Sequence, residues 1–115
     1  MAKISRQFVI DSARSVAATG VMPSIEVSQE DGYCFQTVFS GLESGASGTL
    51  TLQTSLDNTN FSAYPSSAQN FTDASTNLMW EVTQKRHRFA RLVLSAVTTG
   101  TGTATTTFYG ETFTE

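Results

Sequence analysis

The chain has 115 residues, a formal net charge of −3 and one cysteine. That length holds a single packed core, and one cysteine excludes both an intramolecular disulfide and a zinc site built on paired or fourfold cysteines. Charged residues make up 15%, against a usual share of about a quarter; the 39% of hydrophobic residues, eight Phe among them, supplies enough apolar volume for a core, so the low charge does not signal disorder. Ser and Thr fill the deficit, so the expected surface is coated in hydroxyls and suited to packing against other subunits. One domain is expected over 1–115, with a short polar N-terminal arm at about 1–7.

Lys3 and Arg6 open the chain, but the only apolar run after them is Phe8, Val9 and Ile10. A secretion signal needs a core of about seven to fifteen apolar residues, and a membrane span about twenty. No membrane association is expected, and synthesis is expected in the cytoplasm. Residues 6–11 read as a weak strand, and Asp11 or Ser12 could cap one helical turn over 11–18, although no apolar stripe would anchor it.

Beyond this point period-two alternation dominates, and strands are expected at about 24–28, 32–40, 47–55, 60–64, 77–83, 87–97 and 102–113. Turns are expected at 30–32, 41–47, 57–60, 66–76 and 98–102. In 33–39, Tyr33, Phe35 and Phe39 line one side against Cys34, Gln36 and Val38. Leu50 and Leu52 share a face opposite Thr49, Thr51 and Gln53, and Asp57 to Asn60 then form an Asx-type turn. Ala90, Leu92, Leu94 and Ala96 oppose Phe89, Arg91, Val93 and Ser95, while Thr103, Thr105 and Thr107 oppose Ala104, Thr106 and Phe108. Seven or eight strands with no competing helix predict an all-β protein, an antiparallel β-sandwich of jelly-roll-like form.

The catalytic inventory is thin. Cys34 and His87 are the only thiol and imidazole, so one dyad is available, and no third residue to orient it can be named. The carboxylates fall mostly in turns or at strand ends, where solvation explains them. No enzymatic activity and no cofactor are expected. Asp57-Asn58-Thr59-Asn60 offers oxygen ligands for calcium but lacks the Gly and distant Glu of the helix–loop–helix site, and a turn requires the same residues. Trp80 with Tyr33, Tyr64 and Tyr109 could form an aromatic platform for sugar rings, although Trp80 beside Leu78, Met79 and Val82 also reads as core.

Lys85, Arg86, Arg88 and Arg91 hold four of the seven cations, leaving three against ten carboxylates elsewhere. On an extended chain Arg86 and Arg88 point opposite to Lys85, His87 and Arg91, so no continuous stripe results. A basic interaction patch on an acidic body is self-complementary and favours contact between subunits over nucleic acid.

The segments SGTLTLQTSLDNTNFSAYP at 47–65, Trp80 and RFARLVLSAVTTGTGTATTTFYG at 88–110 together resemble small β-sandwich structural proteins of tailed-bacteriophage virions, particularly capsid decoration or cement proteins. The resemblance covers roughly the last two thirds of the chain. It implies a non-enzymatic virion component that binds the major capsid protein or another virion protein, commonly as a trimer, and reinforces the shell. The alternative is a carbohydrate-binding or receptor-binding module of a phage tail or fibre.

Overall fold

The computed structural model describes residues 2–83, 85–98 and 100–114, and every regular element among them is a strand. In chain order these are β1 (Ala2–Ser15), β2 (Gly20–Val21), β3 (Ile25–Glu26), β4 (Gly32–Ser40), β5 (Ser47–Ser55), β6 (Ser62–Ala63), β7 (Gln69–Thr72), β8 (Asn77–Val82), β9 (Phe89–Ser95) and β10 (Thr103–Thr114). One sheet has the order β1-β10-β4-β8. The other runs β2-β9-β5-β6, with β3 also on β9 and β7 also on β5, and every pairing is antiparallel.

β2 and β3 are two parts of one broken strand. Met22 and Val27 continue the pairing by donating to the carbonyls of Leu92 and Arg88, and the break falls at Pro23, which has no N–H to give. β6 and β7 are likewise interrupted by a 64–68 bulge opposite Leu52, in which Ser66 has φ 59°. Counting each pair once leaves eight strands, and every connection but the one after β5 crosses between sheets. That is the double Greek key of a jelly roll.

The alternation foreseen in the long strands decides which side faces in. Tyr33, Phe35, Thr37 and Phe39 from β4, Leu50 and Leu52 from β5, Ala90, Leu92 and Leu94 from β9, and Ala104, Thr106 and Phe108 from β10 are all buried. Burying each large apolar side chain contributes about 1.5–3 kcal/mol. Phe39 stacks on Phe71 across the layers, with centroids 4.7 Å apart and planes at 23°. Phe71 in turn lies over Gly48, its cross-strand partner, where an added Cβ would come within 2.6 Å of the ring.

Four expectations need correction. Residues 2–7 of the polar arm form part of β1, paired with 109–114, so the weak strand at 6–11 is a long one. Over 11–15 the chain makes irregular pairing with β10 and no helical turn; Ala13 has φ 51° and donates its N–H to Thr105 Oγ1, while Arg14 and Asp11 form an ion pair. The expected 66–76 turn contains β7, and the 87–97 strand stops at Ser95, before Ala96 at φ 52°. Met1 of the arm and Thr99 of the 98–102 turn lie outside the described residues.

Candidate functional site: a loop cluster and two uncharged rows of a sheet face

The chain direction brings the last residues of β5, β8 and β10 and the first residues of β1, β4 and β9 to one end of the sandwich. The connections 27–31, 56–61 and 85–88 therefore meet there. Arg88 N donates to Ser55 O, Asp31 N to Glu111 O, and Ser24 Oγ to Asn58 Oδ1, which ties each loop to a neighbouring segment.

A groove of about 680 Å³ opens between the β5–β6 connection and the 85–88 segment, lined among others by Leu56, Asp57, Asn60, Tyr64, Arg86 and His87. Its parts are held from behind. The Asp57 carboxylate accepts hydrogen bonds from Ser55 Oγ, Thr59 N, Asn60 N and Asn60 Nδ2, and these donors hold it well below the usual carboxylate range. His87 Nε2 lies 2.5 Å from the hydroxyl of Tyr33, and its ring makes a perpendicular corner with Tyr64, with centroids 5.9 Å apart and planes at 73°. Burial, then Lys85, pushes the His87 pKa down; burial, then Tyr64, pushes that of Tyr33 up.

The four cations of the expected patch have separate surroundings. Arg91 donates to Gln53 Oε1 and lies 3.8 Å from the Phe61 ring centroid, and Arg88 pairs with Glu26 at 3.4 Å. Lys85 and Arg86 have no ion pair or hydrogen bond among the described residues; Arg86 lines the groove and also an adjoining polar cleft with Lys85, Glu30 and Asp31.

The dyad is not assembled. Cys34 faces outward from β4 between Glu81 and Tyr109, whereas His87 bonds the inward-facing Tyr33. Burial first, then the Glu81 and Glu111 charges, raise the Cys34 thiol, the reverse of an activated nucleophile. The aromatic platform is also absent as drawn. Trp80 is 4% exposed and donates Nε1–H to Ser67 O at 2.7 Å, and Tyr33 is equally buried. The Asp57 turn spends its carboxylate on its own backbone, and among the described residues no group of three or more His, Cys, Asp or Glu is placed to hold a metal. Among the described residues no helix is long and apolar enough to cross a membrane.

Sequence reasoning passed over the outer face of the β1-β10-β4-β8 sheet. Cross-strand register puts Val9, Thr107, Gln36 and Met79 in one row, Thr105, Val38 and Asn77 in the next, and no charge in either. Val9, Val38 and Met79 stand 52%, 47% and 43% exposed, so the face combines hydroxyls and amides with apolar studs. The signal was present in the polar half of each alternation, where Thr, Gln and Val replace the usual Lys and Glu.

The fold is similar to that of the SPBc2 prophage-derived protein YomS, a crystal structure, with a TM-score of 0.60 and 13% identity over 97% of this chain and 96% of that one. A structure of Bacillus endospore appendages, described as disulfide-linked pili, overlaps 98% of this chain and 87% of that one at 12% identity, with a TM-score of 0.47 that carries no argument. No family model matches the chain, and no curated protein matches it. At these identities the likeness is one of fold: a jelly roll spanning nearly the whole length of both this chain and the prophage-derived one.

Proposed function

We propose that this chain is a structural protein of a tailed-bacteriophage virion, a capsid cement or decoration protein that works as a symmetric oligomer, with a trimer favoured, and catalyses no reaction. Two adjacent uncharged rows on the outer face of the β1-β10-β4-β8 sheet, with Glu81, Glu111 and Lys3 confined to its loop end, are the observation that carries this reading. A row of Val9, Thr107, Gln36 and Met79 can be desolvated against a partner without stripping water from any ion, the costliest part of forming a protein interface. The prophage origin of YomS and the phage-like segments at 47–65 and 88–110 support the setting.

The mechanism is mechanical. Buried contact between neighbouring capsid subunits must be broken before the shell can be, and a stable interface of this kind removes about 800 Å² per partner from water. The partner is the major capsid protein or another virion protein, the protein is made in the host cytoplasm, and no nucleic acid takes part. The test compares purified particles made with and without the chain. The expected result is that mass spectrometry finds the chain in particles and that its omission, or a Val38→Lys/Met79→Lys double substitution, lowers the temperature at which capsids release DNA. Complete absence from particles would overturn the reading.

A further inference from the structure

We propose that the groove at the loop end binds an acidic saccharide, a short chain of pyranose rings carrying a carboxylate. The inference stands apart from the capsid reading, and the two fail separately.

A pyranose presents two chemistries at once: an apolar C–H face and a rim of hydroxyls. The groove offers surfaces for both. Tyr64 and His87 meet edge to face at 73° and, with Leu56 and Pro65, supply the apolar side. Leu56 is 65% exposed, a large apolar side chain held in water at the groove where a ligand would cover it. On the polar side Thr54 and Ser62 have hydroxyls with no partner among the described residues, and Asn60 has committed only its Nδ2, which leaves Oδ1 to accept from a sugar hydroxyl. A cavity of about 680 Å³ has room for one or two rings.

Charge selects the class. Among the described residues Asp57 is the one carboxylate lining the groove, and four donors from its own turn already surround it. Arg86 lines the same groove with no anion paired to it among the described residues, and a planar guanidinium matches a carboxylate through two parallel hydrogen bonds. A neutral sugar leaves that capacity unused; a uronic-acid unit fills it. The site is also prearranged, because the Asp57 turn and the Tyr33–His87 bond fix both walls before anything binds.

The probes are a glucuronic-acid-containing disaccharide and cellobiose as its neutral counterpart, titrated into the full chain by calorimetry and followed by saturation-transfer NMR. The acidic disaccharide is expected to bind at least about tenfold more tightly, with the preference shrinking as salt is raised. Arg86→Gln removes an exposed side chain with no hydrogen bond or ion pair among the described residues, so it is expected to preserve folding and abolish the preference. Ser62→Trp, at an exposed position on the groove wall, is expected to block both probes while the thermal transition stays near that of the wild type. No binding of either disaccharide, equal binding of both, or an undiminished preference in Arg86→Gln would each overturn the inference.

Discussion

Thr37 and Thr106 face each other across β4 and β10 with their hydroxyl oxygens 2.8 Å apart, both fully buried in an otherwise apolar core. Thr106 Oγ1 also lies 3.2 Å from the sulfur of Met22, so each hydroxyl depends on the other for its one oxygen partner. Thr37→Val or Thr106→Val alone strands a buried hydroxyl and is expected to cost about 1–3 kcal/mol, whereas the double substitution removes both polar groups at nearly constant shape and is expected to fall close to the wild type. Urea denaturation of the four proteins measures the coupling directly. Simple addition of the two single effects would show that the hydroxyls do not depend on each other.

Glu30 is a carboxylate buried to 5% exposure, and its charge is met from β1. Arg6 Nη2 lies 2.5 Å from Glu30 Oε1 and also donates to Glu26 O, while its guanidinium sits 5.1 Å from the centroid of the Phe108 ring. Arg6→Ala leaves Glu30 with the Thr112 hydroxyl alone and is expected to cost about 1–3 kcal/mol, discounted from a fully buried pair because Arg6 is half exposed. Arg6→Lys is expected to recover only part of that, since an ammonium cannot serve Glu30, Glu26 O and the ring together. Equal stability of Arg6→Ala and the wild type by thermal melting would show that β1 is not anchored by this pair.

What could be read from the sequence follows from how many faces of an element are committed. β4 and β5 were placed at their observed bounds because each seals one face against the core, so Phe35 and Phe39 or Leu50 and Leu52 must alternate with polar residues. β1 was legible only at 6–11. As an edge strand whose Lys3, Ser5, Gln7 and Val9 face outward, its length is set by backbone pairing to β10, which leaves no periodic trace. β7 buries only Phe71, one residue, too few to make a pattern. Each part of the groove was noticed singly, Asp57 as a turn, Tyr64 as an aromatic and Arg86 as a cation. Their meeting is a product of jelly-roll winding, which brings residues more than twenty positions apart to one end.

Gly48 is the one place in β5 where a side chain is excluded by its partner. The Phe71 ring occupies the space of a Cβ, at 2.6 Å, and is itself held by the stack on Phe39. Gly48→Ala is expected to destabilise the fold by about 1–3 kcal/mol through overpacking, and Gly48→Ala/Phe71→Leu to recover part of the loss. Recovery is the informative outcome, because a purely backbone effect at Gly48 would be untouched by trimming the ring.

The Tyr33–His87 bond makes loop-end stability depend on pH, with a sign the surroundings fix. Burial and the nearby Lys85 both disfavour the imidazolium, so the folded-state pKa lies below the ordinary 6.5. The unfolded chain then binds the proton more readily than the folded one as pH falls below 6.5. The contribution of neutral His87 is therefore complete above that value and lost as pH drops through the folded-state midpoint. Because carboxylates elsewhere also titrate on the acid side, the measurement is the difference in unfolding free energy between wild type and His87→Gln, followed from about pH 7.5 down to about pH 4.5. The gap is expected to be constant at the upper end and to narrow with acidification. NMR titration of the His87 ring should place its midpoint below 6.5; a midpoint above it would mean that the charged ring is the favoured partner of Tyr33, and that the groove wall is held by charge and not by packing.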